Sequence, residues 1–257
     1  MENELFYIIH NMVASASLGY CRMAPIFFLV PFFSSGNIPG VVRLPVIVLV
    51  AIGVSPFYSV GFSLIPIHEL LFIMAREVII GVLLGCLLAS PFWIFQVIGS
   101  FIDNQRGATL SSTLDPATGV DTSELSKFFS LFSAVVYLNN GGMKLILETI
   151  HRSYEICEPF GHIKPNLYHV TGFLNFMMTQ GIIHSSPVIA VMLGAEVLLG
   201  LLSRFASQLN AFSISLTIKS GLAFLILLIY FSPVLSEKVM SFSTPVNLLK
   251  SYFLGVN

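Results

Sequence analysis

Charged residues are so sparse along this chain that the gaps between them define its organisation. Uncharged intervals run over residues 5–21, 23–42, 44–68, 78–102, 128–143, 165–195, 205–218 and 220–236. A membrane-crossing helix needs about 20 largely apolar residues to traverse about 30 Å of hydrocarbon, and several intervals approach or exceed that length. Read with their breakers, they predict helices. The first spans roughly residues 5–30, kinked at Pro25 and ending near Pro31, with Asn37-Ile38-Pro39-Gly40 as the following turn. The second spans 41–62, with Pro45 near its start and Pro56 as a kink or stop. A third, 67–101, exceeds one plain span and is expected to bend at Pro91. Helices over 123–139 and 142–157 flank an Asn139-Asn140-Gly141-Gly142 turn, a last pair covers 166–205 and 210–231, and a tail runs from 232 to 257. The fold class is all-α, of integral-membrane type, with about six to seven hydrophobic helices arranged as hairpins.

Composition agrees with a bilayer setting. Of 257 residues, 55% are hydrophobic and 10% charged, with mean hydropathy +0.87, whereas a soluble chain carries about 25% charged residues. Lys and Arg number 12 against 13 Asp and Glu; with no basic excess to grip a phosphate backbone, nucleic acid is not an expected partner. Cys21, Cys86 and Cys157 are an odd count without CxxC or Cys/His spacing, so neither a disulfide framework nor a zinc site is expected. The acidic start, Met1-Glu2-Asn3-Glu4, lacks the basic flank of a signal peptide, and the first apolar run is expected to stay in the mature protein.

The charges strain a plain multi-span reading. Lys and Arg should crowd alternate loops, yet they are scattered, and Arg22, Arg76, Glu77, Glu196 and Lys219 fall inside apolar helices. An ionisable group in hydrocarbon costs about 2.5–3.5 kcal/mol on insertion scales and marks a buried partner or a wet path. These helices are expected to meet protein as well as lipid.

Two polar islands interrupt the pattern. The longer, 102–124, holds the turn formers Gly107, Asp115-Pro116 and Thr118-Gly119, and Asp121 with Glu124 resembles a capping box that restarts a helix. It suits a structured re-entrant loop, since irregular backbone at membrane depth survives only against protein or water; a plain solvent loop fits these residues equally well. The shorter, 204–221, reads as the tip of a helical hairpin bearing Arg204, Gln208 and Asn210, or as a solvated loop with an interfacial Arg. Ser15 with Gly19, and Gly81 with Gly85, have the small-xxx-small spacing of close helix contacts.

Catalytic constellations are missing from the sequence. The six histidines form no HExxH, and there is no GxSxG, Walker A or GxGxxG pattern. His68 beside Glu69 suits a helix end better than an acid/base pair, and Asp103, Asp115 and Asp121 match no EF-hand loop. An enzyme is not expected.

The islands carry a resemblance. Ile102-Asp103-Asn104-Gln105-Arg106-Gly107 followed by Leu114-Asp115-Pro116, together with Arg204-Phe205-Ala206-Ser207-Gln208-Leu209-Asn210-Ala211-Phe212, resembles the FliR/SctT (SpaR-type) family, the T subunit of the type III secretion export gate. Arg22-Met23-Ala24-Pro25-Ile26-Phe27-Phe28 and Tyr230-Phe231-Ser232-Pro233-Val234-Leu235 match it too, so the likeness covers nearly the whole chain, and its wording is closer to the virulence injectisome branch than to the flagellar one. Ser207 departs from the pattern, standing where relatives commonly carry Pro.

That resemblance implies a non-enzymatic core subunit of the export apparatus in the bacterial inner membrane, without cofactor or metal, that helps form the conduit for unfolded secreted proteins. It implies partners: R and S export-gate subunits in a hetero-oligomeric helical ring, the U-type switch subunit and inner rod nearby, membrane lipid, and secreted proteins in transit. It implies an R-like part over 1–165 containing the polar loop 102–124, an S-like hairpin over 166–234 and a tail over 235–257. Asp103, Gln105, Arg106, Gly107, Asp115 and Pro116 are then expected to line or close the conduit, with Asp103 paired to Arg106 and Pro116 fixing the turn. Arg22, Glu196, Arg204, Gln208, Asn210 and Lys219 are expected at subunit interfaces. The reading from another class, a secondary transporter of a small substrate, calls for charges converging on one site and usually for inverted repeats; the sequence shows no convincing repeat.

Overall fold

Helices occupy the uncharged intervals. The computed structural model describes residues 2–34, 37–55, 66–108, 123–157, 167–205, 211–230 and 235–243, and among them all regular structure is helical. The order is α1 (Glu2–Leu29), a short 3-10 turn (Pro31–Phe33), α2 (Gly40–Val54), α3 (Ile67–Arg106), α4 (Glu124–Asn139), α5 (Gly142–Ile156), α6 (Leu167–Phe205), α7 (Ala211–Tyr230) and α8 (Ser236–Ser241). Among the described residues three segments are long and apolar enough to cross a membrane: Tyr7–Leu29, Ile67–Arg106 and Thr171–Phe205. At a rise of about 1.5 Å per residue, the 40 residues of α3 reach about twice the thickness of the hydrocarbon layer.

Several ends differ from expectation. The second helix stops at Val54, where Ser55 N–H donates to the Ala51 carbonyl at 3.0 Å; residues 56–65 lie outside the described ones. The third runs on to Arg106, because the polar residues after Phe101 are accommodated as a helix end rather than a loop. The expected tail contains α8. Both long helices pass through a proline, which leaves the carbonyl four residues earlier without its donor. Ser90 Oγ donates to the Leu87 carbonyl beside Pro91, and Ser186 Oγ to the Ile183 carbonyl beside Pro187, each at 2.7 Å. A serine before each proline thus supplies the donor that the ring removes.

The chain divides into two compact units, discontinuous in sequence: Met1–Ser90 with Leu138–Thr171 and Ser243–Asn257, and Pro91–Tyr137 with Gly172–Phe242. In the first, glycines set the helix approach. A Cβ on Gly81 would collide with the Arg22 carbonyl, one on Gly85 would stand 2.7 Å from Leu29 Cδ1, and one on Gly19 would meet Ser55 and Ala51 of the α2 end at 3.2–3.3 Å. Both small-xxx-small pairs therefore lie on contact faces, and Leu18, Ile26, Ile80, Leu84, Ile146 and Ile150 fill the interior. Helix α2 is inside out. Arg43, Ile47 and Ala51 share its buried face, with the Arg43 guanidinium 4.1 Å from the Phe28 ring centroid, while Val41, Val42, Leu44 and Leu49 face outward.

In the second unit α3 and α4 cross at Gly99, where a Cβ would lie 2.6 Å from the Ser126 backbone. Ser126 Oγ donates to the Gln96 carbonyl at 2.9 Å, and Gln96 Nε2 donates to Ser130 Oγ at 3.1 Å, so the close approach is sewn by hydroxyls. Phe92, Phe95, Ile98, Phe129 and Tyr137 form the core beside it; each such side chain contributes roughly 1.5–3 kcal/mol on burial.

Candidate functional site

The polar island begins where α3 ends. Gly107, at φ +80°, donates its N–H to the Asn104 carbonyl at 3.2 Å, and Ala108 N–H reaches the Asp103 carbonyl at 3.1 Å. This is the paired bonding that closes a helix with glycine in the left-handed region, where a side chain is strained. Gln105 is half-buried on the last turn.

Asp103 ties this end to the start of α4. Its carboxylate accepts from Arg106 Nε at 2.6 Å, from Ser123 Oγ at 2.5 Å and from Leu125 N–H at 3.0 Å, with its side chain 1% exposed. Ser123 Oγ in turn accepts from Ser126 N–H at 3.0 Å, an N-cap bond. One buried carboxylate thus draws together the two residues that border segment 107–122. Asp115, Pro116 and Asp121 lie outside the described residues. The cap of α4 is Ser123 rather than the expected Asp121–Glu124 pair, since Ser123 reaches the third amide of the helix while also donating to Asp103. Ser123 and Leu125 were not among the expected site residues, although the Ser-x-x-Ser spacing at a helix start was there to be read.

Arg22 occupies a second polar centre, in the first unit. Its Nε and Nη2 bond Glu77 Oε2 and Oε1 at 2.5 and 2.9 Å, Nη1 donates to Ser153 Oγ at 3.0 Å, and Nη2 also donates to the Cys157 carbonyl at 3.0 Å. The Tyr154 ring lies 3.9 Å from Cζ, and both charged side chains are 0% exposed. Arg22, expected at a subunit contact, thus has its guanidinium turned inward on residues of its own chain, joining α1, α3 and α5. Burial pushes the Cys157 thiol up to about 11 and raises the Tyr154 phenol, against the opposing pull of Arg22. Glu77 was noted only as a charge in an apolar helix, and no spacing in the sequence linked Ser153 or Tyr154 to Arg22.

The other expected interface residues are distributed over the hairpin of α6 and α7. Lys219 Nζ meets Glu196 Oε2 at 2.9 Å, the lysine buried and the glutamate half-exposed. Arg204 is exposed in the last turn of α6. Gln208 and Asn210 lie outside the described residues. Among the described residues no group of three or more His, Cys, Asp or Glu is placed to hold a metal ion.

Comparison with known proteins gives this geometry its context. The family described as bacterial export proteins, family 1, matches residues 13–244. The surface presentation of antigens protein SpaR of Salmonella typhimurium is 48% identical, covering 97% of this chain and 95% of that protein. The secretion system apparatus protein SsaT of the same organism is 28% identical over 96% of this chain and 98% of its own length. The flagellar biosynthetic protein FliR of Bacillus subtilis is 25% identical over 84% and 85%.

Proposed function

The chain belongs to the bacterial export proteins of family 1, and from that premise we propose that it is a core, non-enzymatic subunit of a type III protein export apparatus of the injectisome branch. The observation that carries the reading is likeness along almost the full chain to SpaR, at 48% identity, against 25% to the flagellar relative. It lies in a membrane, as its three long apolar helices support, and works beside other subunits of the apparatus. In this proposal the membrane is the bacterial inner membrane. The partners are the R and S export-gate subunits, with the U-type switch subunit and inner rod adjoining and secreted proteins passing through.

Residues 1–165 are the R-like part and 166–234, holding α6 and α7, the S-like hairpin. The segment between Arg106 and Ser123 lines or closes the conduit. Asp103 fixes its ends, bonding Arg106 at the close of α3 and Ser123 and the Leu125 amide at the start of α4. Its hydroxyl-rich sequence gives an unfolded chain few apolar surfaces to adhere to. Glu196, Arg204, Gln208, Asn210 and Lys219 contribute to contacts with neighbouring subunits.

Native mass spectrometry of the tagged chain, expressed with its candidate R and S partners and extracted in mild detergent, tests the assembly. A single copy within a larger complex of the two supports it. A chain that emerges alone or as a homodimer would falsify it.

A further inference from the structure

The second unit contains a cleft of about 590 Å³ whose lining includes Arg106, Glu124, Phe128, Phe224, Leu227 and Leu228. We propose that it binds one zwitterionic phospholipid of the phosphatidylethanolamine class, an acyl chain along its floor and the headgroup between Arg106 and Glu124.

Its size lies within the range of small-molecule sites, about 300–1,000 Å³. The walls are the aromatic and leucine side chains of α4 and α7, and its lip is apolar: Phe128 is 53%, Phe224 47% and Leu228 82% exposed. Such a surface gains by being covered with hydrocarbon.

The two charged residues decide which cover fits. Asp103 engages only Nε of Arg106, and among the described residues Nη1 and Nη2 have no hydrogen-bond partner. The guanidinium carbon stands 5.3 Å from the Phe224 ring centroid, so these donors are held against the wall of the cleft. Glu124 gives Oε1 to Lys127 at 3.0 Å and keeps Oε2 without a described partner. The lining therefore offers a planar donor pair, the geometry that recognises phosphate, and a carboxylate for an ammonium. A wholly apolar helix from a neighbouring subunit would cover the leucines and phenylalanines but desolvate the Arg106 Nη1 and Nη2 donors and Glu124 Oε2 without bonding them, which is costly. A phosphoethanolamine headgroup pairs both while its chain covers the floor. The inference requires only that the chain sits in a membrane, and it stands apart from which subunits surround it.

The full chain, delipidated in mild detergent, is titrated with palmitoyl-oleoyl phosphatidylethanolamine, and separately with the phosphatidylglycerol and phosphatidylcholine of the same chains, by native mass spectrometry. The expected result is one retained phosphatidylethanolamine per chain, with phosphatidylglycerol about tenfold or more weaker, since it lacks the ammonium and sets its net charge beside Glu124. Glu124→Gln, at a largely exposed position, keeps the fold and removes that preference. Leu227→Trp fills the floor and abolishes retention of every lipid, with circular dichroism confirming unchanged helicity. Equal retention of the three lipids by the unaltered chain, no retention of any, or a Glu124→Gln chain that discriminates as before overturns the proposal. Assembly with R and S subunits is scored in the separate experiment above, so the two readings fail independently.

Discussion

Arg22 with Glu77, and Arg106 with Asp103, are the same chemistry in two settings. In the first the arginine makes four hydrogen bonds through its three nitrogens, to Glu77, Ser153 and the Cys157 carbonyl, an aromatic ring lies over the guanidinium, and neither charge is exposed. In the second the carboxylate takes three bonds, from Arg106, Ser123 and the Leu125 amide, while the arginine, at 17% exposure, uses only Nε among the described residues. The partners of Arg22 come from two helices far apart in sequence, α3 and α5, whereas Asp103 gathers groups that border one excursion of the chain. The first arrangement resists change because every alternative strands a buried charge. The second fixes the end of α3 against the start of α4 and leaves the arginine partly exposed. Burial of both partners marks architecture; burial of one marks an attachment point.

Breaking the buried pair should have the largest effect. Glu77→Ala leaves the Arg22 guanidinium without its counter-charge and costs about 3–5 kcal/mol, whereas Arg22→Met with Glu77→Leu recovers most of that. Steady-state level in membranes and thermal unfolding in detergent read both, and a double variant no better than the single one contradicts the account. Next comes the glycine under the same centre. Gly81→Val drives a side chain into the Arg22 carbonyl and costs about 1–3 kcal/mol by overpacking, while the same change at Gly172, where a Cβ meets nothing within 4 Å, should leave the melting temperature nearly unaltered.

At the other centre, Asp103→Ala strips the Leu125 amide and Ser123 of their acceptor, a loss of about 1–3 kcal/mol. Export should fall further than stability, and Asp103→Asn should lie between, as secretion assays and chain levels measured together will show. Smaller still is Lys219→Met. Half-exposed Glu196 limits the pair to about 1 kcal/mol or less, within reach of careful melting curves. Cys157 offers a chemical check on the buried centre: with its thiol at about 11, maleimide labelling should be slow at pH 8 and rise roughly tenfold per pH unit towards 10, because only the thiolate reacts. Rapid labelling at pH 8 means the centre is open.

Much of this architecture was legible because charges are rare and prolines and glycines punctuate the gaps. Asn140-Gly141 marked the turn between α4 and α5, and Gly141 indeed takes φ +80°. The end of α3 falls later than polarity suggests: Asp103, Asn104, Gln105 and Arg106 look like loop, whereas the Gly107 closure and the tertiary bonds of Asp103 to Ser123 and Leu125 make a helix end there. Period and polarity report which residues avoid water; they do not report which distant hydroxyl or carbonyl a buried charge will find. Hence Arg22 and Glu77 stood out as anomalies in apolar helices, while their pairing, and the parts of Ser153 and Tyr154 in it, waited for the fold. The small-xxx-small spacings carry little weight in sequence, and the packing against Gly19, Gly81 and Gly85 gives them a purpose.

The division between architecture and attachment is tested most directly by scoring two readouts on two variants in one strain: recovery of the chain with its sister subunits from solubilised membranes, and secretion of substrate into the medium. Glu77→Ala is expected to lose both together. Asp103→Ala is expected to keep recovery near that of the unaltered chain while secretion drops severalfold. An Asp103→Ala strain that secretes normally, or a Glu77→Ala chain that assembles and secretes normally, contradicts the account.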